Sequence, residues 1–463
     1  MRERVLLLTG RLAEQRLRRT MAALEPVGFD WEVRVLGLAV AGLMTADLIR
    51  RRLDGVGAAT RVVVPGRCRG DLDALARHYG VPFVRGPDDL KDLPRFFGRP
   101  GGPPDLSRHD VRIFAEIVDA PGLDVAAILA RAHEYRRQGA DVIDLGCLPG
   151  TRFPHLDEAV RALKQAGHAV SVDSADADEL RRGGAAGADF LLSLNEDTLA
   201  LARESDAVPV LIPARPGDLE SLMRAIAAMR RLGRPFIADP ILDPIHFGFT
   251  ESLMRYRELR RRDPEAEILM GTGNLTELTD ADTTGINAVL MGIASELGIR
   301  NVLVVRVSAH NRRAVAETDL ARRIMFAARA DGALPQDYHA GLMGLRDRKP
   351  FPDTAEDIAE LAHAVKDTSF RIVVAEDGIH VFNRDGRRVA TDPFDLWPEL
   401  KLEDDAAHAF YMGVETARAQ IAWQLGKRYV QDRPLDWGVA ADGAVEDLSR
   451  YSAVKSTKRA RGR

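Results

Sequence analysis

Short apolar runs and amphipathic stretches alternate along the first hundred residues. Runs at 5–8, 31–36, 61–64 and 81–84 have the length of buried strands. Stretches at 12–24, 45–53 and 71–79 carry apolar residues at helical spacing. Strand and helix in alternation predict a parallel sheet covered by helices. The segment Arg99-Pro-Gly-Gly-Pro-Pro104 breaks every regular pattern and reads as a linker.

The alternation then restarts and can be counted. Strand candidates lie at 111–118, 141–145, 169–172, 190–193, 209–212, 235–238, 267–270 and 301–306. Helical patterns separate them, among them 125–137, 156–166, 219–232 and 286–297. Eight strands followed by helices, over roughly the 250 residues such a fold needs, predict a (β/α)8 TIM barrel. An open doubly wound sheet is the competing arrangement, and the count of eight favours the barrel. After the barrel the pattern changes. A helix is predicted over 354–365, strands over 370–375 and 379–382 joined by Glu376-Asp-Gly378, and a second turn at Asn383-Arg-Asp-Gly386. A long amphipathic helix is predicted over 404–429.

Composition narrows the class. The 463 residues exceed one domain at about 150 residues each. The pattern divides the chain into an α/β domain of Rossmann- or flavodoxin-like kind at 1–104, the barrel at 105–335, and a small α+β domain at 336–454. A basic tail without apolar anchors, 455–463, is expected to be disordered. With 65 basic and 69 acidic side chains, the net charge of -4 gives a field too weak for nucleic acid as main partner. Cys68 and Cys147 lie far apart, form no zinc-type cluster and fit a reducing cytoplasm. The apolar run at 5–8 is too short for a signal peptide, and no run is long enough to cross a membrane.

In a barrel of this kind the chemistry sits at the C-terminal ends of the strands. That rule selects Asp119 after the first strand, Asp144 to Cys147 on the second and Asp173 at the end of the third. It selects Ser193 and Asn195 at the fourth, Arg215 beyond the fifth and Asp239 at the sixth. The seventh leads into Gly271-Thr272-Gly273-Asn274, and the eighth into Arg306 and Ser308. Carboxylates around one rim suit a planar ligand rich in N–H donors, because paired N–H groups match a carboxylate fork. Two glycines after a strand let backbone N–H groups approach an anion, and the last two loops of such barrels commonly bind phosphate. Thr272, Asn274 and Thr276 add donors there, Arg306 a cation and Ser308 a hydroxyl.

Each residue also has a plainer reading. Asp173 can cap the next helix, Asp144 can be a buried hydrogen-bonded structural residue, and Asp239-Pro240 can start a turn. The glycine segment can be an ordinary loop. His246 and His310 are candidate acid–base groups, and Asp280-Ala-Asp282 is a metal candidate or a helix cap. Cys147 is a nucleophile or a buried spectator. The Thr9-Gly10-Arg11 turn lacks a full dinucleotide fingerprint.

Residues 111–328 resemble dihydropteroate synthase and the wider pterin-binding barrels. Gly139-Ala-Asp-Val-Ile-Asp-Leu-Gly146 resembles the family's second strand, and Val170-Ser-Val-Asp173 its third, whose Asp contacts the pterin. Gly187-Ala-Asp-Phe-Leu-Leu-Ser193 resembles the fourth, with Ser193 or Asn195 in place of the usual Asn. Asp239-Pro240, with His246-Phe-Gly-Phe249, resembles the Asp-Pro-Gly-x-Gly-Phe loop, and Arg306-Val-Ser308 the Arg-x-His anion site. Departures are equally specific. Cys147-Leu-Pro-Gly150 stands where the synthase has Ser-Thr-Arg-Pro-Gly, and Gly273-Asn-Leu275 replaces Ser-Arg-Lys. Asp119-Ala-Pro121 replaces Asn-Val-Thr-Pro. The layout of the whole chain is more similar to dihydropteroate synthase-related proteins of methanogens and methylotrophic bacteria, associated with making tetrahydromethanopterin. The segment from Gly271 to Asp282, Asp405-Ala-Ala-His-Ala-Phe-Tyr411 and Gln431-Asp-Arg-Pro-Leu-Asp-Trp-Gly438 carry that similarity.

The resemblance implies a transferase. It would join 7,8-dihydropterin-6-ylmethyl diphosphate to an aryl amine, 4-(β-D-ribofuranosyl)aminobenzene 5′-phosphate, and release diphosphate. Asp173, Asp239 and Asn274 would be its catalytic residues. Asp144, Ser193, Asn195, Arg215 and His246 would bind substrate, with Gly271, Thr272, Gly273, Arg306 and Ser308 around phosphate. Asp119 would bind Mg²⁺ beside the diphosphate. A cytoplasmic homodimer is expected, with small-molecule substrates and neither nucleic acid nor membrane as partner. The missing lysine and arginine loop also fit a pterin-binding module of methyl-transfer type without synthase activity. A scaffold recruiting other pathway enzymes is a third reading.

Overall fold

The computed structural model describes residues 3–442 apart from Glu25, Asp89, 99–104 and Asp337. The linker at 99–104 and the basic tail at 455–463 lie outside the described residues. The chain forms two compact units, one built from 1–104 with 349–435, the other from 105–348 with 436–443. Where the sequence pattern separates a third domain over 336–454, most of that segment instead shares a unit with the first hundred residues.

The first unit begins with four parallel strands, β1 (Arg4–Thr9), β2 (Asp30–Val35), β3 (Arg61–Val64) and β4 (Phe83–Arg85), in the order β2-β1-β3-β4. Strand alternation divides its core in two. Leu6, Leu8, Val62 and Val64 pack on one face with Ile49 and Leu75, and Val5, Leu7 and Val63 pack on the other with Leu17 and Met21. The helices on the first face start where a side chain takes up a free N–H group. Thr45 accepts from Leu48 N, and Asp71 from Ala74 N.

In the second unit the eight expected strands are all present. They are β5 (Arg112–Ile117), β6 (Val142–Gly146), β7 (Ala169–Asp173), β8 (Phe190–Leu194), β9 (Val208–Leu211), β10 (Ile237–Ala238), β11 (Glu267–Gly271) and β12 (Asn301–Val304). They form a closed parallel barrel in which β12 pairs back onto β5. Residues on alternate positions face the axis. Phe114, Val142, Phe190, Val210, Ile237 and Leu269 form a separate inner core. Their neighbours Ile113, Ile143, Leu191, Leu211, Ile268 and Val302 pack outward in the larger core shared with the helices. β10 is the shortest stave, with two registered residue pairs to each neighbour.

The rest of the first unit holds an antiparallel sheet, β13 (Arg371–Ala375), β14 (Gly378–Asn383) and β15 (Gly386–Ala390), with the helix Ala406–Leu425. The sequence pattern predicts the first two strands and the helix but not β15. Its sequence Gly-Arg-Arg-Val-Ala is mostly exposed and has no apolar alternation.

One buried arginine ties the barrel's first and last elements together. The Arg322 side chain, on the helix Ala314–Ala330, is 1% exposed. Its guanidinium donates to Asp319 at 2.6 and 2.9 Å, to Gly139 O at 2.8 Å, and to Asp141 and Val111 O. Losing one partner of a buried pair strands the other charges, a cost of about 3–5 kcal/mol. Arg322→Met is therefore expected to lower barrel stability by about that amount in urea unfolding. A change below about 0.5 kcal/mol, the size typical of a surface substitution, would contradict this role.

Candidate functional site

Alternation places four carboxyl groups on the inward-facing rows of the barrel. Glu116 follows Phe114 by two on β5, Asp144 follows Val142 by two on β6, and Asp173 ends β7. Asp239 follows Ile237 by two at the end of β10. In the sheet register Glu116 is opposite Asp144. Gly146 leaves the space for Glu116, since a Cβ there would run into Glu116 Oε1.

Each acid is held differently. Asp144 is fully buried and accepts from the Ser171 hydroxyl, while its Oδ2 has no hydrogen-bond partner. Asp173 accepts from the Ser193 hydroxyl at 2.5 Å. Asp239 accepts from the Tyr256 hydroxyl and from Ile241 N, both at 2.7 Å. Ser193 and Ile241 both have positive φ, 69° and 66°. For a branched side chain such as Ile241 this is a strained conformation, and here it lies beside the acid cluster. The Ser193 bend coincides with a register shift between β8 and β9.

Burial and mutual repulsion make these acids hold their protons. Burial first, then the Asp173 charge, pushes Glu116 up to about 7. Burial pushes Asp239 up to about 6, against the lowering effects of the Tyr256 hydroxyl and the Ile241 N–H. Asp144 is raised by burial and then by the charges of Asp173 and Glu116; Asp173 is raised by burial and lowered by its Ser193 bond. Arg255 bears on Asp239 but is itself committed to Asp243 at 2.6 Å and to Ile241 O at 2.9 Å. All four acids at the mouth of the barrel are therefore held above the ordinary carboxylate range.

The sequence rule brings Asp144, Asp173, Asp239 and Ser193 to this mouth. Gly271 follows Leu269 on the inward row of β11, and nothing lies within 4 Å of where its Cβ would be. Asp173 is not a helix cap, because the next helix, Ala177–Ala186, is capped by Asp176. The remaining selected residues do different work. Asp119 is exposed and paired with Arg131. Arg306 stands on the outward row of β12, where it pairs with Glu134 at 2.5 Å and lies 5.0 Å from the Tyr135 ring centroid. Asn274 donates to Leu242 O at 2.7 Å, and Thr272 donates to Leu303 O. Asn195 accepts from Asp197 N within its own turn, and His310 contacts Thr276 O. Arg215 and His246 are exposed.

The expected anion cradle between the last two loops is filled from within. The Glu277 carboxylate accepts from Val307 N at 2.7 Å, Ser308 N at 2.8 Å and the Asn311 amide at 2.7 Å. Outside the barrel wall, at the ends of β5 and β12, lies a cavity of about 690 Å³. Asp119, Arg131, Glu134, Arg306, Ser308 and Arg312 are among the residues lining it. Mg²⁺ does not fit at Asp119, whose carboxylate is spent on Arg131. Among the described residues no group of three or more His, Cys, Asp or Glu is arranged to hold a metal ion. The Cys147 thiol is pushed far above its ordinary range by burial and then by Glu179, which makes it a poor nucleophile.

Sequence reasoning missed Glu116, Ser171 and Tyr256. For Glu116 the signal is present, since it stands two residues after the apolar Phe114 on a predicted strand. Tyr256 comes from the helix Phe249–Arg262 and carries no such signal.

A family model described as a family of unknown function (DUF6513) matches residues 3–88. An uncharacterized protein of Methanocaldococcus jannaschii is 25% identical over 528 aligned positions, covering 93% of this chain and 99% of the relative. Solved structures similar to this chain include the 7,8-dihydropteroate synthase of Vibrio fischeri, with 17% identity and a TM-score of 0.39 over 49% of this chain and 94% of that one. The Yersinia pestis dihydropteroate synthase in complex with a sulfonamide drug has 21% identity and a TM-score of 0.39 over 49% and 96%. Among the described residues no helix is long and apolar enough to cross a membrane.

The raised acids set a pH dependence of stability. Folded Glu116 and Asp239 release protons at about 7 and about 6, against ordinary values of 4.5 and 3.8. Across roughly pH 4 to 7 the native state binds more protons than the unfolded state, so this contribution is present at the acid end and lost as pH rises. Glu116→Gln keeps the shape and cannot ionise. Its melting temperature relative to the parent chain should be more favourable at pH 8 than at pH 5. An equal difference at both pH values would refute the assignment.

Proposed function

We propose that the barrel is a pterin-binding transferase of the dihydropteroate synthase kind, acting on 7,8-dihydropterin-6-ylmethyl diphosphate. The observation that carries this reading is the inward set of four carboxyl groups, one with an unpartnered buried oxygen. Such a set wants N–H donors, and a pterin edge offers them in pairs that match a carboxylate fork. Asp173 and Asp239 hold the ring in this reading, with Ser193 fixing the first and Tyr256 the second. Breaking the exocyclic C–O bond sends its electron pair out with diphosphate and leaves a methylene cation conjugated with the ring. The lone pair of an aryl amine forms the new C–N bond, and the amine then loses a proton. The protein's share is to hold the ring, exclude water and orient the amine.

The second substrate we propose is 4-(β-D-ribofuranosyl)aminobenzene 5′-phosphate. Arg312 supports it: it lines the 690 Å³ cavity and its guanidinium has no partner among the described residues. A second reading, a pterin-binding module without synthase activity, is favoured by the cradle that Glu277 already occupies. Incubation with both substrates, with and without Mg²⁺, separates the two. The transferase releases diphosphate and forms the coupled product; the module binds reduced pterin and releases none.

Ring binding has its own test by calorimetry with 6-hydroxymethyl-7,8-dihydropterin. Each charge-assisted hydrogen bond contributes roughly 1.5–3 kcal/mol, so Asp173→Ala and Asp239→Ala should each weaken affinity about 10- to 150-fold. Arg312→Ala should leave this ligand unaffected and weaken the phosphorylated amine. Unchanged pterin affinity in both Asp variants would overturn the ring assignment.

A further inference from the structure

The four-stranded sheet of the first unit carries a cavity that the barrel's chemistry does not use. Its order β2-β1-β3-β4 has a switch point, because the connection from β1 runs one way along the sheet and the connection from β3 runs the other. In open parallel sheets of this order, ligands bind beyond the C-terminal ends of the strands at that point. A cavity of about 150 Å³ lies there, lined by Leu7 and Thr9 of β1, Val63 of β3, Ala41, Leu17 and Leu93 among others.

Three observations define what fits. The first is size: the cavity of about 150 Å³, mostly apolar but with Arg67 and Asp88 also in its lining, has room for one benzene-sized ring. The second is Thr9, 3% exposed, whose hydroxyl makes only a 3.4 Å contact to the adjacent Gly10 carbonyl. A buried hydroxyl so poorly used has both a donor and an acceptor to offer. The third concerns the turn after β1, where nucleotide-binding sheets hold phosphate on free N–H groups. Here Arg11 N donates to Leu38 O at 2.8 Å and Leu12 N to Ala39 O at 3.0 Å. Those two donors are spent, so the turn after β1 offers a phosphate no cradle. The rim is also closed tightly at the far side, where a Cβ on Gly66 would lie 2.7 Å from Asp88 N.

We infer that this crevice is a binding site for a one-ring aromatic compound bearing an uncharged hydroxyl or amine, with the ring at the C-terminal ends of β1 and β3 and the polar group on Thr9. The ligand carries no phosphate. The site is separate from the barrel's carboxylates and has its own specificity.

Calorimetry on the full chain tests it with phenol, toluene and phenyl phosphate as probes. Phenol should bind saturably, and phenyl phosphate should not. Thr9→Val, which keeps the volume and removes the hydroxyl, should weaken phenol about fivefold and leave toluene unchanged. Ala41→Phe, which fills the cavity, should abolish binding of both. Asp173→Ala in the barrel should leave phenol binding intact. Absence of saturable phenol binding overturns the inference, as does an unchanged phenol affinity in Thr9→Val. Loss of binding in Asp173→Ala would move the ligand to the barrel, and binding of phenyl phosphate as tight as phenol would overturn the phosphate-free class.

Discussion

Four carboxyl groups on the inward rows of one closed barrel are hard to keep ionised. Burial penalises each charge, and like charges lie close. The pleat of the strands leaves no choice of direction, because any residue two after an inward apolar residue also faces the axis. The surrounding structure answers with donors. Ser171, Ser193, Tyr256 and the Ile241 N–H each hold one acid, and two of those donors sit on or beside strained backbone. Where no donor reaches, as at Asp144 Oδ2, burial raises the carboxyl above its ordinary range.

The outer side of the same rim follows the opposite logic. Its charges are matched pairwise, Arg131 with Asp119 and Arg306 with Glu134, and the Glu277 carboxylate is saturated by donors from the following loop. Burial raises Glu277, but those donors hold it below its ordinary range. Arg312 apart, the outer wall is thus internally balanced, whereas the mouth is left with acceptors to spare. The proposed ring binding draws on that asymmetry, since a ring rich in N–H donors would meet spare acceptors at the mouth.

Much of this was legible in the chain. The barrel follows from counting eight apolar runs with helical stretches between them, and Asp144, Asp173 and Asp239 follow from the strand-end rule. The same rule misplaces Asp119 and Arg306, because it locates a residue along a strand without saying which side it faces. Applying the period of two from Phe114 would have added Glu116 and turned Asp119 outward. Tyr256 was not legible, since its reach to Asp239 depends on how a helix packs 17 residues later. The joining of 349–435 to the first hundred residues was hidden for a similar reason: it rests on contacts between segments hundreds of residues apart. Strand β15, rich in exposed arginine, offered no apolar pattern to read.

The brevity of β10 bears on how the barrel moves. A strand with two registered pairs on each side contributes far fewer ladder bonds than β5 or β6, which share four with each other. Local opening starts where the fewest bonds must break. The seam between β9 and β11 is therefore the point at which the cylinder breathes, and Asp239 sits at its lip. Amide hydrogens along that seam are expected to exchange with solvent ahead of those in the rest of the barrel. An otherwise eightfold wall thereby has one weak seam, a front set apart from its back.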